Sequence, residues 1–133
     1  MTETLDPSYA GDGLYREHIL DHYKSPRNAG TLEHPTVTHK EFNPLCGDEL
    51  TFTLLVKDST VEDVKFQGRG CAISQAAASM LTDRIKGEKT EAIKKLVRED
   101  ILELLGIPIG PARTKCAMLG LVTVKRALEK ETL

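Results

Sequence analysis

Residues 50–67 read LTFTLLVKDSTVEDVKFQ and predict a β-hairpin. In residues 50–56, apolar side chains alternate with threonines, which is typical of a strand with one buried face. Residues 61–67 repeat the alternation with valine and phenylalanine against charged and polar neighbours. The KDST stretch at 57–60 predicts the turn between them. Because the second strand runs back along the first, the chain returns to the end of the sheet where residue 50 began.

Helical periodicity flanks the hairpin on both sides. A helix is predicted from Leu14 to the Ser25-Pro26 turn, because the residue before a proline is steered out of the helical region. A second helix is predicted over 72–86, with Gly87 as its stop.

Shorter helical patterns follow at 90–97, with Thr90 as the cap, and at 101–105, closed by Gly106. The last helix is predicted to start near Ala112. Residues 36–42 are a weak candidate for a third strand at the sheet edge. This order predicts an α+β fold. We expect a small three-stranded antiparallel sheet with helices packed on one face, the N-terminal helix first and the C-terminal helices last.

Length and composition favour one globular domain. The chain has 133 residues, with 40% hydrophobic and 29% charged. Residues 1–13 lack a hydrophobic period and predict a flexible tail, so residues 14–133 are expected to form the domain. A net charge of −2 argues against a nucleic-acid partner. No apolar run approaches the ~20 residues of a membrane span.

Three cysteines, Cys46, Cys71 and Cys116, carry most of the functional information. Their odd number and the lack of an export signal predict reduced thiols and a cytoplasmic location. One interpretation is that they are inert buried thiols. The other interpretation is that they take part in metal binding or sulfur chemistry. It rests on position, because each cysteine lies at the edge of a predicted element rather than within an apolar stripe.

The predicted hairpin brings two of these positions together. The loop with Cys46 and Asp48 and the segment with Cys71 share one end of the sheet. Cys116 joins them if the last helix starts at that end. Three sulfurs and one carboxylate oxygen suit tetrahedral zinc or iron. We therefore expect these four side chains to form a single shallow pocket that solvent can reach.

Local electrostatics favour thiolates at these positions. Helix N-termini carry about half a positive charge and promote thiol ionisation. Arg69, Arg113 and Lys115 add cations beside Cys71 and Cys116. A separate pair, His18 and His22, has the four-residue spacing of a helical metal site but no third ligand type nearby. Packing or surface roles are favoured for these histidines.

The chain resembles the IscU/SufU/NifU N-terminal family of iron–sulfur cluster assembly scaffolds. The resemblance extends from Tyr15 to Lys130 and depends on separated motifs in the family's order. These motifs are Asp21-His22-Tyr23 with Pro26-Arg27-Asn28 and Gly30, Asn43-Pro44-Leu45-Cys46-Gly47-Asp48, Gly68-Arg69-Gly70-Cys71-Ala72-Ile73-Ser74, and Lys115-Cys116.

The resemblance implies a scaffold and carrier, with a zinc-dependent sulfurtransferase as the enzymatic alternative. Such proteins accept persulfide sulfur from a cysteine desulfurase, bind iron, build a [2Fe–2S] cluster and transfer it to apo iron–sulfur proteins. By this resemblance Cys46, Asp48, Cys71 and Cys116 are the cluster or metal ligands. Either Cys116 or Cys46 accepts the persulfide, and Asp48 is the exchangeable ligand. Assembly at a monomer and at a cluster-bridged dimer are both open.

Two departures from the family pattern matter. Lys115 stands where the IscU branch has histidine, as in the SufU branch. A protonated lysine cannot bind a metal, so we expect Lys115 to stabilise a thiolate or persulfide. The same stretch, GPARTK at 110–115, lacks the Leu-Pro-Pro-Val-Lys motif of the IscU branch, which argues against an Hsp70-type chaperone partner.

The second departure concerns length. SufU proteins carry an insertion of roughly 20 residues before the third cysteine, and a loop that long is normally functional. This chain runs from Glu103 to Cys116 without it. The scaffold is therefore favoured over the alternative, a SufU-like zinc-dependent sulfurtransferase that relays persulfide sulfur. Zinc competes well for thiolate sites, so it can occupy the purified protein in either case.

Overall fold

The computed structural model describes residues 13–44 and 47–131. The elements in chain order are α1 (Gly13–Lys24), β1 (Val37–Asn43), β2 (Asp48–Lys57), β3 (Thr60–Arg69), α2 (Ala72–Ile85), α3 (Thr90–Lys94), α4 (Arg98–Leu105) and α5 (Pro111–Glu131). This confirms the predicted α+β architecture. The predicted tail lies outside the described residues except for Gly13, which begins α1.

The sheet is an antiparallel meander with strand order β1-β2-β3. The weak third strand is confirmed as β1, at one edge. In the β2–β3 turn, Asp58 and Ser59 have φ of 52° and 58°. Two positive φ values are typical of a type I′ turn, whose twist matches that of the flanking strands. The pairing of Glu49 with Arg69 brings the open ends of the hairpin together.

One face of the sheet packs on the helices. Helix α5 lies against β1 and β2, and α2 lies against β3. Leu50, Phe52 and Leu54 of the central strand are fully buried in the core. The rings of Phe52 and Phe66 are stacked with their centroids 5.7 Å apart. Burying a side chain of this size stabilises a fold by about 1.5–3 kcal/mol, so the hairpin is anchored through this face.

The connection from α1 to β1 crosses the other face of the sheet. It pairs with the β3 edge, where Gly30 N–H donates to the carbonyl of Phe66 at 2.8 Å. Leu32 N–H then donates to Thr53 Oγ1 at 3.0 Å on the central strand. Thr53 is consequently 1% exposed although it points away from the helices.

The ends of the shorter helices test the predicted stops and caps. Gly106 closes α4 with φ of 75°, as expected for a left-handed C-cap. The predicted cap at Thr90 is wrong, because Lys89 is the N-cap of α3. Thr90 N–H instead donates to Ser59 O at 2.8 Å, which ties the start of α3 to the hairpin turn. Within the described ranges, no helix combines the length and apolarity that crossing a membrane requires.

Candidate metal centre

Three elements bring a potential metal ligand to one end of the sheet. Asp48 is the first residue of β2, and Cys71 is the N-cap of α2, two residues after β3 ends. Cys116 lies in the second turn of α5. One ligand atom from each residue lies within 4.8 Å of those of the other two. The start of α5 is therefore at the same end as the open hairpin.

Cys46, the fourth predicted ligand, lies outside the described residues. Its sequence position, two residues before Asp48, keeps it a candidate for the same site. Its participation stays a prediction.

Asp48 connects β2 to the start of α2. Its Oδ1 accepts a hydrogen bond from Cys71 N–H at 3.0 Å. The thiol of Cys71 donates to Oδ2 at 3.7 Å. The first N–H groups of a helix lack intrahelical partners and attract negative charge. The carboxylate, which is 0% exposed, thus caps the helix that carries the neighbouring cysteine.

The distances fit a small tetrahedral ion. Zinc–sulfur and zinc–oxygen bonds of about 2.3 and 2.1 Å require a sulfur–oxygen separation of about 3.6 Å and a sulfur–sulfur separation of about 3.8 Å. The observed separation of Cys71 Sγ and Asp48 Oδ2 is 3.7 Å. Since all three ligand atoms lie within 4.8 Å, binding would draw the farthest pair together by only about 1 Å. The donor set suits zinc and iron alike.

The site is more enclosed than we expected. Asp48 and Cys116 are buried, and Cys71 alone of these three residues is partly exposed. The reason is tertiary, because the first residue of β2 lies beneath the N-terminus of α2 while α5 packs across β1 and β2. An incoming ion or sulfur atom would therefore approach from the side of Cys71.

The nearby cations face outward. Arg69 forms an ion pair with Glu49, with a nitrogen–oxygen distance of 3.7 Å on the outer surface. Lys115 and Arg113 are exposed, whereas Cys116 is buried. Successive residues of a helix point about 100° apart, so Lys115 and its neighbour Cys116 face different surroundings. The proposed effect of Lys115 on a thiolate stays a prediction.

The surroundings of His18 and His22 differ from those of a pair of metal ligands. Their rings pack edge to face, with centroids 4.6 Å apart. His22 is buried and its Nδ1 is hydrogen-bonded to Ser79 Oγ at 2.7 Å. Burial, followed by the positive charge of Arg27, lowers the pKa of His22 below its usual value. A neutral, bonded imidazole here joins α1 to α2, as the packing interpretation expected.

Sequence reasoning did not single out Gly70 as part of the site. The sequence placed it only within the motif of residues 68–74 and gave it no role of its own. In the structure Gly70 has φ of 149°, and a Cβ built on it would overlap the carboxylate of Asp48. The available signal was a glycine immediately before a cysteine that begins a helix.

Comparisons with known proteins agree with this geometry. The sequence profile of the NifU-like N-terminal domain matches residues 14–131. The chain is 39% identical over 137 residues to the zinc-dependent sulfurtransferase SufU of Bacillus subtilis (strain 168), across 90% of this chain and 92% of SufU. It is 39% identical over 133 residues to the iron–sulfur cluster assembly scaffold protein IscU of Thermotoga maritima, across 88% of this chain and 94% of IscU.

Solved structures support the same relationship. A crystal structure from Fervidobacterium islandicum AW-1, described as a candidate iron–sulfur cluster assembly scaffold for the SUF system, superposes with a TM-score of 0.76. It is 28% identical, and the match covers 90% of this chain and 99% of that one. The resemblance predicted from the motifs is thus confirmed, and the chain belongs to the NifU-like N-terminal domain family.

Proposed function

We propose that this protein is an iron–sulfur cluster assembly scaffold. It accepts persulfide sulfur from a cysteine desulfurase, binds iron, assembles a [2Fe–2S] cluster and passes it to apo iron–sulfur proteins. The observation that carries the proposal is the convergence of Asp48, Cys71 and Cys116, whose ligand atoms lie within 4.8 Å of one another. The 39% identity to a protein named as an IscU scaffold supports it.

The proposed ligand set adds Cys46 to these three residues. Cys46 and Asp48 flank Gly47, so one short loop supplies a sulfur and an oxygen. Cys71 and Cys116 supply the other two sulfurs from the starts of α2 and α5. Cys116 or Cys46 accepts the incoming sulfur.

The sulfur step is a thiolate exchange. The acceptor thiolate attacks the outer sulfur of the desulfurase persulfide, the persulfide S–S bond breaks, and the desulfurase cysteine leaves as a thiolate. Two sulfane sulfurs need four electrons to become the two sulfides of a cluster. Two ferrous ions supply two electrons as they become ferric, and a thiol reductant supplies the remaining two.

Asp48 has a distinct role as the oxygen ligand. Oxygen donors hold iron less firmly than thiolates do, which suits a cluster that must leave. We expect Asp48→Ala to slow cluster transfer to an apo-ferredoxin, measured by visible absorption under anaerobic conditions. Glu62→Ala, an exposed acidic residue on β3, is the matched control and should transfer at the wild-type rate. Equal rates for Asp48→Ala and wild type would contradict this role.

The second candidate function is a zinc-dependent sulfurtransferase. The observation that favours it is the 39% identity to a protein of that name. In this case the protein relays sulfur and builds no cluster.

One reconstitution separates the two functions. Metal-free protein is incubated anaerobically with a cysteine desulfurase, cysteine and dithiothreitol, with ferrous iron in one reaction and zinc in another, and then with an apo-ferredoxin. A cluster that forms on wild type, fails on Cys71→Ser and moves to the acceptor supports the scaffold. Desulfurase stimulation that requires zinc and yields no cluster supports the sulfurtransferase. If neither of these results is observed, both proposed functions are overturned.

A further inference from the structure

We propose that Gly70 is a positioning residue of the metal centre. The lack of a side chain at position 70 leaves room for the Asp48 carboxylate beneath the N-terminus of α2, where one oxygen is held by Cys71 N–H and the other lies 3.7 Å from the Cys71 sulfur. The inference rests on the proposed function only in that Asp48 binds the metal.

The steric overlap at position 70 is specific to the Asp48 carboxylate. A Cβ on Gly70 would overlap Oδ1 and Cγ of Asp48 and approach its Cβ to 3.0 Å. Asp48 is completely buried, and its backbone is held in the sheet by pairing with Asn43. Rotation of the Asp48 side chain away from the overlap would break the 3.0 Å hydrogen bond from Cys71 N–H.

The other close glycine of this segment has a different neighbour. A Cβ on Gly68 would overlap the backbone carbonyl of Glu49, so a side chain there disturbs β2–β3 pairing. Gly70 is thus the position in this stretch where a methyl group would act directly on a candidate ligand.

The same contacts restrict how Asp48 can bind a metal. Oδ1 accepts a hydrogen bond from a helix N-terminus, while Oδ2 is 3.7 Å from the Cys71 sulfur. The Cys71 N–H thus fixes the orientation of the carboxylate and keeps Oδ2 close to the Cys71 sulfur. A hydrogen-bonded ligand is oriented and tuned by its partner, and disturbing such partners typically weakens metal binding by about 10–100-fold.

The chain offers a control glycine that also has a positive φ. Gly87, which follows the C-cap of α2, has φ of 87°, and a Cβ there would meet nothing within 4 Å. Alanine is strained at both glycines because both have a positive φ. Only Gly70→Ala also displaces the carboxylate.

The experiment measures the zinc dissociation constant by chelator competition. We expect Gly70→Ala to raise the constant about 10–100-fold and Gly87→Ala to leave it within about twofold of wild type. In the Asp48→Ala variant, adding Gly70→Ala should change the zinc dissociation constant by less than about threefold, because both substitutions act through one carboxylate. The ¹¹³Cd NMR shift of cadmium-loaded Gly70→Ala should move toward that of Asp48→Ala, which a purely structural defect would not cause.

Four results would overturn the proposal. They are wild-type zinc affinity in Gly70→Ala, an equal effect of Gly70→Ala with and without Asp48, an unchanged affinity in Asp48→Ala, and an effect of Gly87→Ala as large as that of Gly70→Ala. Loss of zinc binding in Cys71→Ser alongside any of them would leave the metal centre of the proposed function standing. If Gly70→Ala does not fold, Gly70→Ala/Asp48→Ala is expected to fold because the overlapping atoms are gone. Failure of that double variant would also overturn the proposal.

Discussion

Ser79 of α2 forms hydrogen bonds with α1 and with the loop that follows α1. Its replacement by alanine tests how α1 packs on α2. The Oγ of Ser79 is hydrogen-bonded to His22 Nδ1 at 2.7 Å and accepts a bond from Arg27 N–H at 2.8 Å. Ser79→Ala removes both bonds. Each polar group left without a partner in the interior costs about 1–3 kcal/mol, and the Arg27 N–H is only partly buried. The free energy of unfolding should therefore fall by about 2–4 kcal/mol.

The assay is urea unfolding of the metal-free protein, followed by circular dichroism at pH 7.5. With a slope of about 2 kcal/mol per molar urea, the midpoint should fall by about 1–2 M. Ser74→Ala is the control, because Ser74 is equally buried in α2 but donates only to Cys71 O, three residues earlier. Gln75 N–H still donates to that carbonyl, so the control should cost about 1 kcal/mol or less. A loss below about 1 kcal/mol in Ser79→Ala, or an equal loss in both variants, would refute the reasoning.

Two further predictions concern stability. Gly120→Ala in α5 should raise the free energy of unfolding by about 0.5–1 kcal/mol, because the new methyl would meet Ala78 at 3.5–3.6 Å, an ordinary contact, and alanine favours helix. A lower thermal midpoint than wild type would contradict it. The pKa of His22 is lowered in the folded protein, chiefly by burial, so the folded state binds fewer protons than the unfolded one. The contribution of neutral His22 to the free energy of unfolding is present above about pH 6.5 and falls as the pH drops below that value. Unfolding titrations at pH 7.5 and 5.5 should show a smaller decline in His22→Gln, and an equal decline would count against the pKa shift.

Local patterns predicted most of the fold because strand and helix periods are local properties. The alternation in residues 50–67 predicted β2 and β3 and their turn, and Gly106 marked the end of α4. Thr90 was misassigned as a cap because a long-range bond from its N–H to Ser59 O decides where α3 begins. Sequence patterns carry no information on such a partner 31 residues away.

The candidate site was likewise predictable from local sequence only in part. An antiparallel hairpin must return to its starting end, so the sequence alone predicted that Asp48 and Cys71 are neighbours. The position of Cys116 depended on how α5 packs across the sheet, which is a sum of many distant contacts with no local signature. The burial of Asp48 beneath α2, and the space that Gly70 leaves for its carboxylate, likewise emerged only in three dimensions, because atoms far apart in sequence compete there for the same volume.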